Sequence, residues 1–316
     1  MTATLHAFAE ALPAAQRLAD LLGIPCRPIE VRRFPDGESL VTAAPTTPTA
    51  ILYRSLDHPN DRLVELLLAV SALRDRGAAR IILVAPYLGY MRQDAAFHPG
   101  EAVSQRVIGR LLAGCVDALV TVDPHLHRVH TLAEVVPGIT AVTVSAAATL
   151  AETLRGDLPH DAILVGPDAE SRPWVESVAA PLGLAVLVGT KHRLGDRQVE
   201  LAIDGIECVC GRHVVLVDDV ISSGATLLRC AALLQAAGAA SIEACATHCL
   251  ARPDDLHALV EGGIARVRST DTVAGPTASI AIAPALAAAL TELGALTAAS
   301  PPARLTNINA AQTGIS

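Results

Sequence analysis

The sequence predicts an α/β protein of two domains, each a mainly parallel sheet flanked by helices. Three observations predict it. At 316 residues the chain suits about two domains of ordinary size. Short β-branched runs alternate with Ala- and Leu-rich helical segments, the pattern of strands joined by covering helices. The residues are 51% hydrophobic but only 2% aromatic, so the cores must be built from small side chains that let helices lie close on a sheet.

In the first half, 51–56 reads as a strand, 60–76 as a helix and 79–87 as a strand. Within that helix Leu63, Leu66, Leu67 and Val70 share one face at a 3.6-residue period. A helix over about 104–113 and a strand over 117–123 follow. The second half repeats the theme: strand 161–168, then helix 172–182 with Pro173 at its start, where a missing N–H costs nothing. Strands at 184–189 and 213–219 come next, then helix 226–237 closed by Gly238, and strand 241–249. The two halves are alike in plan without a residue-level repeat. Their junction falls near 145–155, giving domains of 1–148 and 149–298 and a polar tail, 299–316.

Composition excludes some functions. A net charge of −8 and a pI near 5.7 leave no basic footprint for nucleic acid or a membrane surface, so an anionic ligand needs a local site. The seven cysteines contain no CxxC pair and sit mostly in apolar runs, which reads as reduced core thiols. No secretory signal opens the chain. The uncharged stretch 272–291 is long enough for a bilayer, but Pro276 and Pro284 make it a strand followed by a Pro-started helix. The expectation is a cytoplasmic protein.

The most informative segment is HVVLVDDVISSGATLLRCAALLQAAG, 213–238. An apolar strand runs into Asp218 and Asp219, then into a turn of small residues and a helix. Ligands of open parallel sheets bind beyond the carboxyl ends of strands. Ser222, Ser223, Gly224, Ala225 and Thr226 offer consecutive backbone N–H groups, hydroxyls and a helix N-terminus, which together suit a phosphate. The acids suit a diol. This segment resembles the phosphoribosyl-pyrophosphate binding motif shared by phosphoribosyltransferases and by the synthetases that make that compound.

Other segments resemble the synthetases, the ribose-phosphate pyrophosphokinase family. RRFPDGES (32–39) matches the family's F-x-D-G-E, which reaches the adenine of ATP, so Phe34, Asp36, Gly37 and Glu38 are expected to bind ATP. APYLGYMRQD (85–94) matches P-Y-x-x-Y-x-R-Q-D and adds Arg92, Gln93 and Asp94 to the ATP site. VDPHLHRVH (122–130) matches D-x-H. His125 and His127 alone could suggest a transition-metal pair, but no further ligand stands at a zinc-site spacing. The resemblance makes His125 the contact to Mg2+–ATP, and leaves His127 and His130 as surface residues. In GPDAES, Asp168 matches the family's magnesium-contacting acid, although Glu170 and Ser171 replace small glycine-rich residues. GTKHRLGDRQVEL (189–201) keeps the K-x-R of a catalytic loop, implying Lys191 and Arg193. That loop and Ser222 resemble the archaeal-type branch more than the common bacterial one.

The resemblance covers about residues 30 to 290 and implies two phosphoribosyltransferase-like domains. It implies transfer of pyrophosphate from Mg2+–ATP to the anomeric hydroxyl of ribose 5-phosphate, with Mg2+ as cofactor. It also implies a homo-oligomer, a dimer or dimer-based hexamer, because the family's D-G-E segment serves a neighbouring subunit. A phosphoribosyltransferase would explain 213–238 but not the 32–39 or 85–94 segments. A catalytically silent regulatory subunit would have no use for Lys191, Arg193, His125 and Asp168 together.

Overall fold

A computed structural model describes residues 3–126, 128–193 and 199–296. The first domain runs β1 (Ala3–Phe8), α1 (Leu12–Leu22), β2 (Cys26–Arg33), β3 (Ser39–Ala43), β4 (Thr49–Tyr53), α2 (Pro59–Asp75), β5 (Arg80–Ala85), α3 (Ser104–Ala113), β6 (Ala118–Val122), α4 (Leu132–Val135) and β7 (Thr140–Val144). After α5 (Ala147–Arg155) the second runs β8 (Ile163–Gly166), α6 (Arg172–Ala179), β9 (Ala185–Arg193), β10 (Val199–Ile203), β11 (His213–Ile221), α7 (Ala225–Ala236), β12 (Ser241–Cys249), α8 (Pro253–Glu261), β13 (Arg266–Thr270), β14 (Ala278–Ile280) and α9 (Ala283–Glu292).

The two sheets share one plan. The first has the order β3-β2-β1-β4-β5-β6-β7, the second β10-β9-β8-β11-β12-β13-β14. All pairs are parallel except β2–β3 and β9–β10, an antiparallel hairpin at one edge of each sheet. Strand order reverses at β1/β4 in the first sheet and at β8/β11 in the second. Crevices open at such reversals, because neighbouring connections leave on opposite faces.

Helix exchange ties the domains together. α5, next to the first sheet's last strand, packs against α6 and β12 of the second domain. α9, at the far end of the second domain, lies on α1, β6 and β7 of the first. One apolar cluster therefore runs through both, from Leu5, Leu18, Ile51 and Val120 to Leu150, Val178, Val215, Leu286 and Leu290. Polar contacts close the same seam: Arg17 pairs with Asp271 at 2.6 Å, the Ser55 hydroxyl donates to the Thr272 carbonyl at 2.5 Å, and Arg80 donates to the Gly294 carbonyl at 3.0 Å.

The neutral stretch after Thr272 is indeed a short strand and a helix, and no helix among the described residues is long and apolar enough to cross a membrane. The thiols differ from expectation. All seven are free, but only Cys230, Cys245 and Cys249 are buried, while Cys208 and Cys210 are exposed at the turn before β11. Leu67 is only half-buried, whereas Leu63, Leu66 and Val70 face the core.

Candidate active site

At the β8/β11 reversal a cleft of about 160 Å³ is lined by Arg92, His125, Asp168, Glu170, Ser171, Trp174, Asp218, Asp219, Val220 and Ser222. β11 carries its acids inside the strand, which continues to Ile221 and does not end at residue 219 as the pattern suggested. Asp219 is buried and its carboxylate lies 2.5 Å from Nδ1 of His125, a residue of the first domain. Burial alone would raise the Asp219 pKa, yet the hydrogen bond and charge of His125 bring it below the ordinary carboxylate range. Its neighbour behaves oppositely: burial, with Asp219 and Asp168 alongside, pushes Asp218 up to about 8.

Asp168 follows β8 and orders its own turn, accepting the N–H groups of Glu170 at 3.1 Å and Ser171 at 3.3 Å. The tight turn needs Gly166, where a Cβ would stand 2.4 Å from Oγ of Ser171. The turn after β11 is built on Gly224, whose φ of +72° begins α7 one residue earlier than predicted. A Cβ there would meet Cδ2 of Leu259 at 2.7 Å. No side chain caps α7, so its first N–H groups face outward beside Ser222, Ser223 and Thr226. That is the arrangement an anion needs.

The other predicted residues divide. Arg92 reaches the cleft. Asp94 does not: its buried carboxylate accepts the Arg128 backbone N–H at 3.0 Å and pairs with the Arg128 guanidinium at 2.6 Å, which holds it well below the usual carboxylate range. It anchors the loop and presents nothing to a nucleotide. The Gln93 carbonyl accepts the backbone N–H of Gln105 at 3.3 Å. Phe34, Asp36, Gly37 and Glu38 form the tip of the β2–β3 hairpin at the outer edge of the first sheet, and none lines the cleft. Lys191 and Arg193 close β9, but their side chains and residues 194–198 lie outside what the structure describes, as does His127. Trp174 lines the cleft without a motif to flag it, since an aromatic at a helix start reads as packing.

A larger cleft of about 470 Å³ lies at the β1/β4 reversal. Its charges are matched internally: buried Arg54 pairs with Glu65 and stacks on Phe8, Arg62 pairs with Asp57, and Arg33 pairs with Glu65 at 3.1 Å. The smaller cleft, which gathers Asp168, Glu170, Asp218 and Asp219 beside the start of α7, is the better candidate for chemistry.

Comparison with known proteins agrees. Residues 4–115 match the N-terminal domain of ribose phosphate pyrophosphokinase, and residues 140–262 match a phosphoribosyl transferase domain. A ribose-phosphate pyrophosphokinase of Methanopyrus kandleri is 36% identical over 293 residues, covering 91% of this chain and 98% of the relative. The chain belongs to the ribose-phosphate pyrophosphokinase family. A second member, from Methanothermobacter thermautotrophicus, is 33% identical over 86% of this chain and 94% of its own length. The fold matches a crystal structure of phosphoribosylpyrophosphate synthetase from Mycobacterium smegmatis with a TM-score of 0.76, at 24% identity, over 92% of this chain and 98% of that one. The family is thus settled by sequence, and its fold by both.

Proposed function

We propose that the chain transfers the pyrophosphoryl group of Mg2+–ATP to the anomeric hydroxyl of ribose 5-phosphate, giving phosphoribosyl pyrophosphate and AMP. The observation that carries this reading is the meeting, in one cleft, of the β11 acid pair, the uncapped α7 N-terminus and His125 from the other domain. The 222–226 turn takes the 5-phosphate on its N–H groups and hydroxyls. Asp218, with Asp219 behind it, takes the ribose hydroxyls. Arg92 faces the nucleotide phosphates, and Gln93 beside it keeps its sequence-based assignment to the nucleotide.

Mg2+ fits the donor chemistry of the cleft, which is rich in carboxylate oxygen. No group of three or more His, Cys, Asp or Glu among the described residues forms an ion cage. Asp168 and His125 would hold such an ion together with the substrate phosphates. When bound, it would neutralise phosphate charge. Pyrophosphoryl transfer needs little else from the protein than alignment and charge stabilisation. Lys191 and Arg193, on the strand leading from the cleft, supply that charge in the family pattern.

The β2–β3 hairpin stands away from its own cleft and is surrounded by exposed Val31, Phe34, Leu40, Val64 and Leu68. That supports a homo-oligomer, a dimer or a dimer-based hexamer, in which Phe34, Asp36, Gly37 and Glu38 serve the cleft of a second copy. We place the enzyme in the cytoplasm, where its substrates are. The test is to incubate the protein with ATP, Mg2+ and ribose 5-phosphate. AMP formed only when the sugar is present supports the reading, and no AMP opposes it. A phosphoribosyltransferase would need no ATP.

A further inference from the structure

The backbone just before His125 is unusual. Asp123 has a φ of +33°, in the left-handed region that non-glycine residues avoid, and it is only 7% exposed. Such a conformation persists only when its surroundings over-determine it. Here they do. Its carboxylate accepts the Ala146 N–H at 3.0 Å and the Thr247 hydroxyl at 3.0 Å, and Trp174 lines the same pocket as Asp123. On the backbone side, Nε2 of His248 lies 3.1 Å from the Val122 carbonyl and 3.4 Å from that of Asp123, so this nitrogen carries the proton and donates. The other ring nitrogen, Nδ1, lies 2.8 Å from the Thr272 hydroxyl, and the ring meets Tyr87 edge-on at 4.9 Å.

Apart from Ala146, these donors belong to the second domain, Thr247 and His248 at the end of β12, and so does the neighbouring Trp174 in α6. The segment they hold belongs to the first. Two residues further on, His125 meets Asp219.

We infer that Thr247 and His248 are positioning residues, which hold the 122–123 backbone in its left-handed turn so that His125 is delivered across the domain seam to the acid pair. They act through Asp123 and Val122. The arrangement explains why the cleft can be assembled from two domains with no connecting strand at that point. A purely packing role for Thr247 would need its methyl group alone, and one for His248 only its ring.

The activity readout rests on the function proposed above; a second readout does not. Trp174 is the chain's only tryptophan and lines the same pocket as Asp123, so its emission reports on the surroundings of that residue. Thr247→Val keeps shape and removes the donor, whereas Thr247→Ser keeps the donor. For the Val variant the expected result is a kcat lowered at least tenfold, a KM for ribose 5-phosphate within twofold of the parent, and a shifted Trp174 emission maximum. The Ser variant should keep both kcat and emission near the parent values. Val and Ser variants that match each other in kcat and emission, whether both like the parent or both impaired, would overturn the inference. If the Val variant does not fold, His248→Gln, which returns a donor near Nε2, is compared with His248→Leu on the same readouts. Activity retained by both would then overturn it. If the parent itself makes no AMP, the proposed function fails, and the emission comparison still decides the positioning role.

Discussion

Gly224→Ala should damage both the fold and the sugar-phosphate site, and the cost can be worked from two independent features. The residue has a φ of +72°, and placing an L-side chain there costs about 1–2 kcal/mol. The new methyl would stand 2.7 Å from Cδ2 of Leu259 and 3.0 Å from Cδ1 and Cγ. Leu259 is fully buried against Leu227 and the β11–β12 layer, so it cannot swing into solvent. Overpacking of this kind costs roughly 1–3 kcal/mol more. Together the substitution should destabilise the protein by about 2–5 kcal/mol, unless the 222–226 turn gives way first. If it does, the N–H groups leave their alignment, and the KM for ribose 5-phosphate should rise at least tenfold. Urea unfolding and steady-state kinetics read the two outcomes. Adding Leu259→Ala would remove the clash but leave the φ strain, so it should return only part of the lost turn geometry. A Gly224→Ala protein with parental stability and parental KM would refute the account of this turn.

Three further perturbations follow from the same structure. His6 and His248 are buried, and burial first of all lowers each from 6.5 to about 4. Each ring then contributes its full stability above about pH 6.5 and loses it as pH falls toward 4, because the unfolded chain takes the proton first. A gap of about 2.5 pH units corresponds to ~3 kcal/mol per ring, so the urea midpoint should drop clearly between pH 7 and pH 4.5, and a flat profile would contradict the burial argument. Glu65→Ala leaves the buried Arg54 guanidinium without its main partner and should cost about 3–5 kcal/mol, whereas Arg54→Met with Glu65→Leu should recover most of it; thermal unfolding of the three proteins checks this. Lys191→Ala should lower kcat by roughly 10²–10³-fold with little change in stability, and an unchanged kcat would remove Lys191 from the reaction.

Much of the second domain was legible because its strands are short, apolar and β-branched. SIEACATHC coincides with the observed β12, and DAILVGPD and HVVLVDD differ from β8 and β11 only at their ends. The beginning of the chain was not legible. β1, Ala3–Phe8, is a fully buried central strand, but it carries Thr4 and His6 and opens an Ala-rich stretch that resembles a helix. β2, Cys26–Arg33, buries only Ile29, so no two-residue alternation marks it. Its hairpin partner β3 is only five residues long and buries only Ala43.

The site showed the same division. Motif spacing located Asp168, Asp218, Asp219, His125 and Ser222, which the fold gathers into one cleft. Spacing could not tell that Asp94 turns inward to Arg128, because an Arg-Gln-Asp run looks alike whether its acid meets a ligand or another loop. Nor could it reveal that α5 and α9 cross between domains. An apolar helix face announces that it will be buried, but not on which sheet. Thr247 escaped for a related reason: it meets Asp123 across 124 positions of the chain.

The account's central claim concerns which bond of the nucleotide breaks. ATP labelled with 32P at the β-phosphorus, incubated with the protein, Mg2+ and ribose 5-phosphate, tests it directly. Attack at that phosphorus carries the label onto the sugar and leaves unlabelled AMP. Label remaining in ADP, or in unreacted ATP, would mean that the cleft between β8 and β11 does some other chemistry.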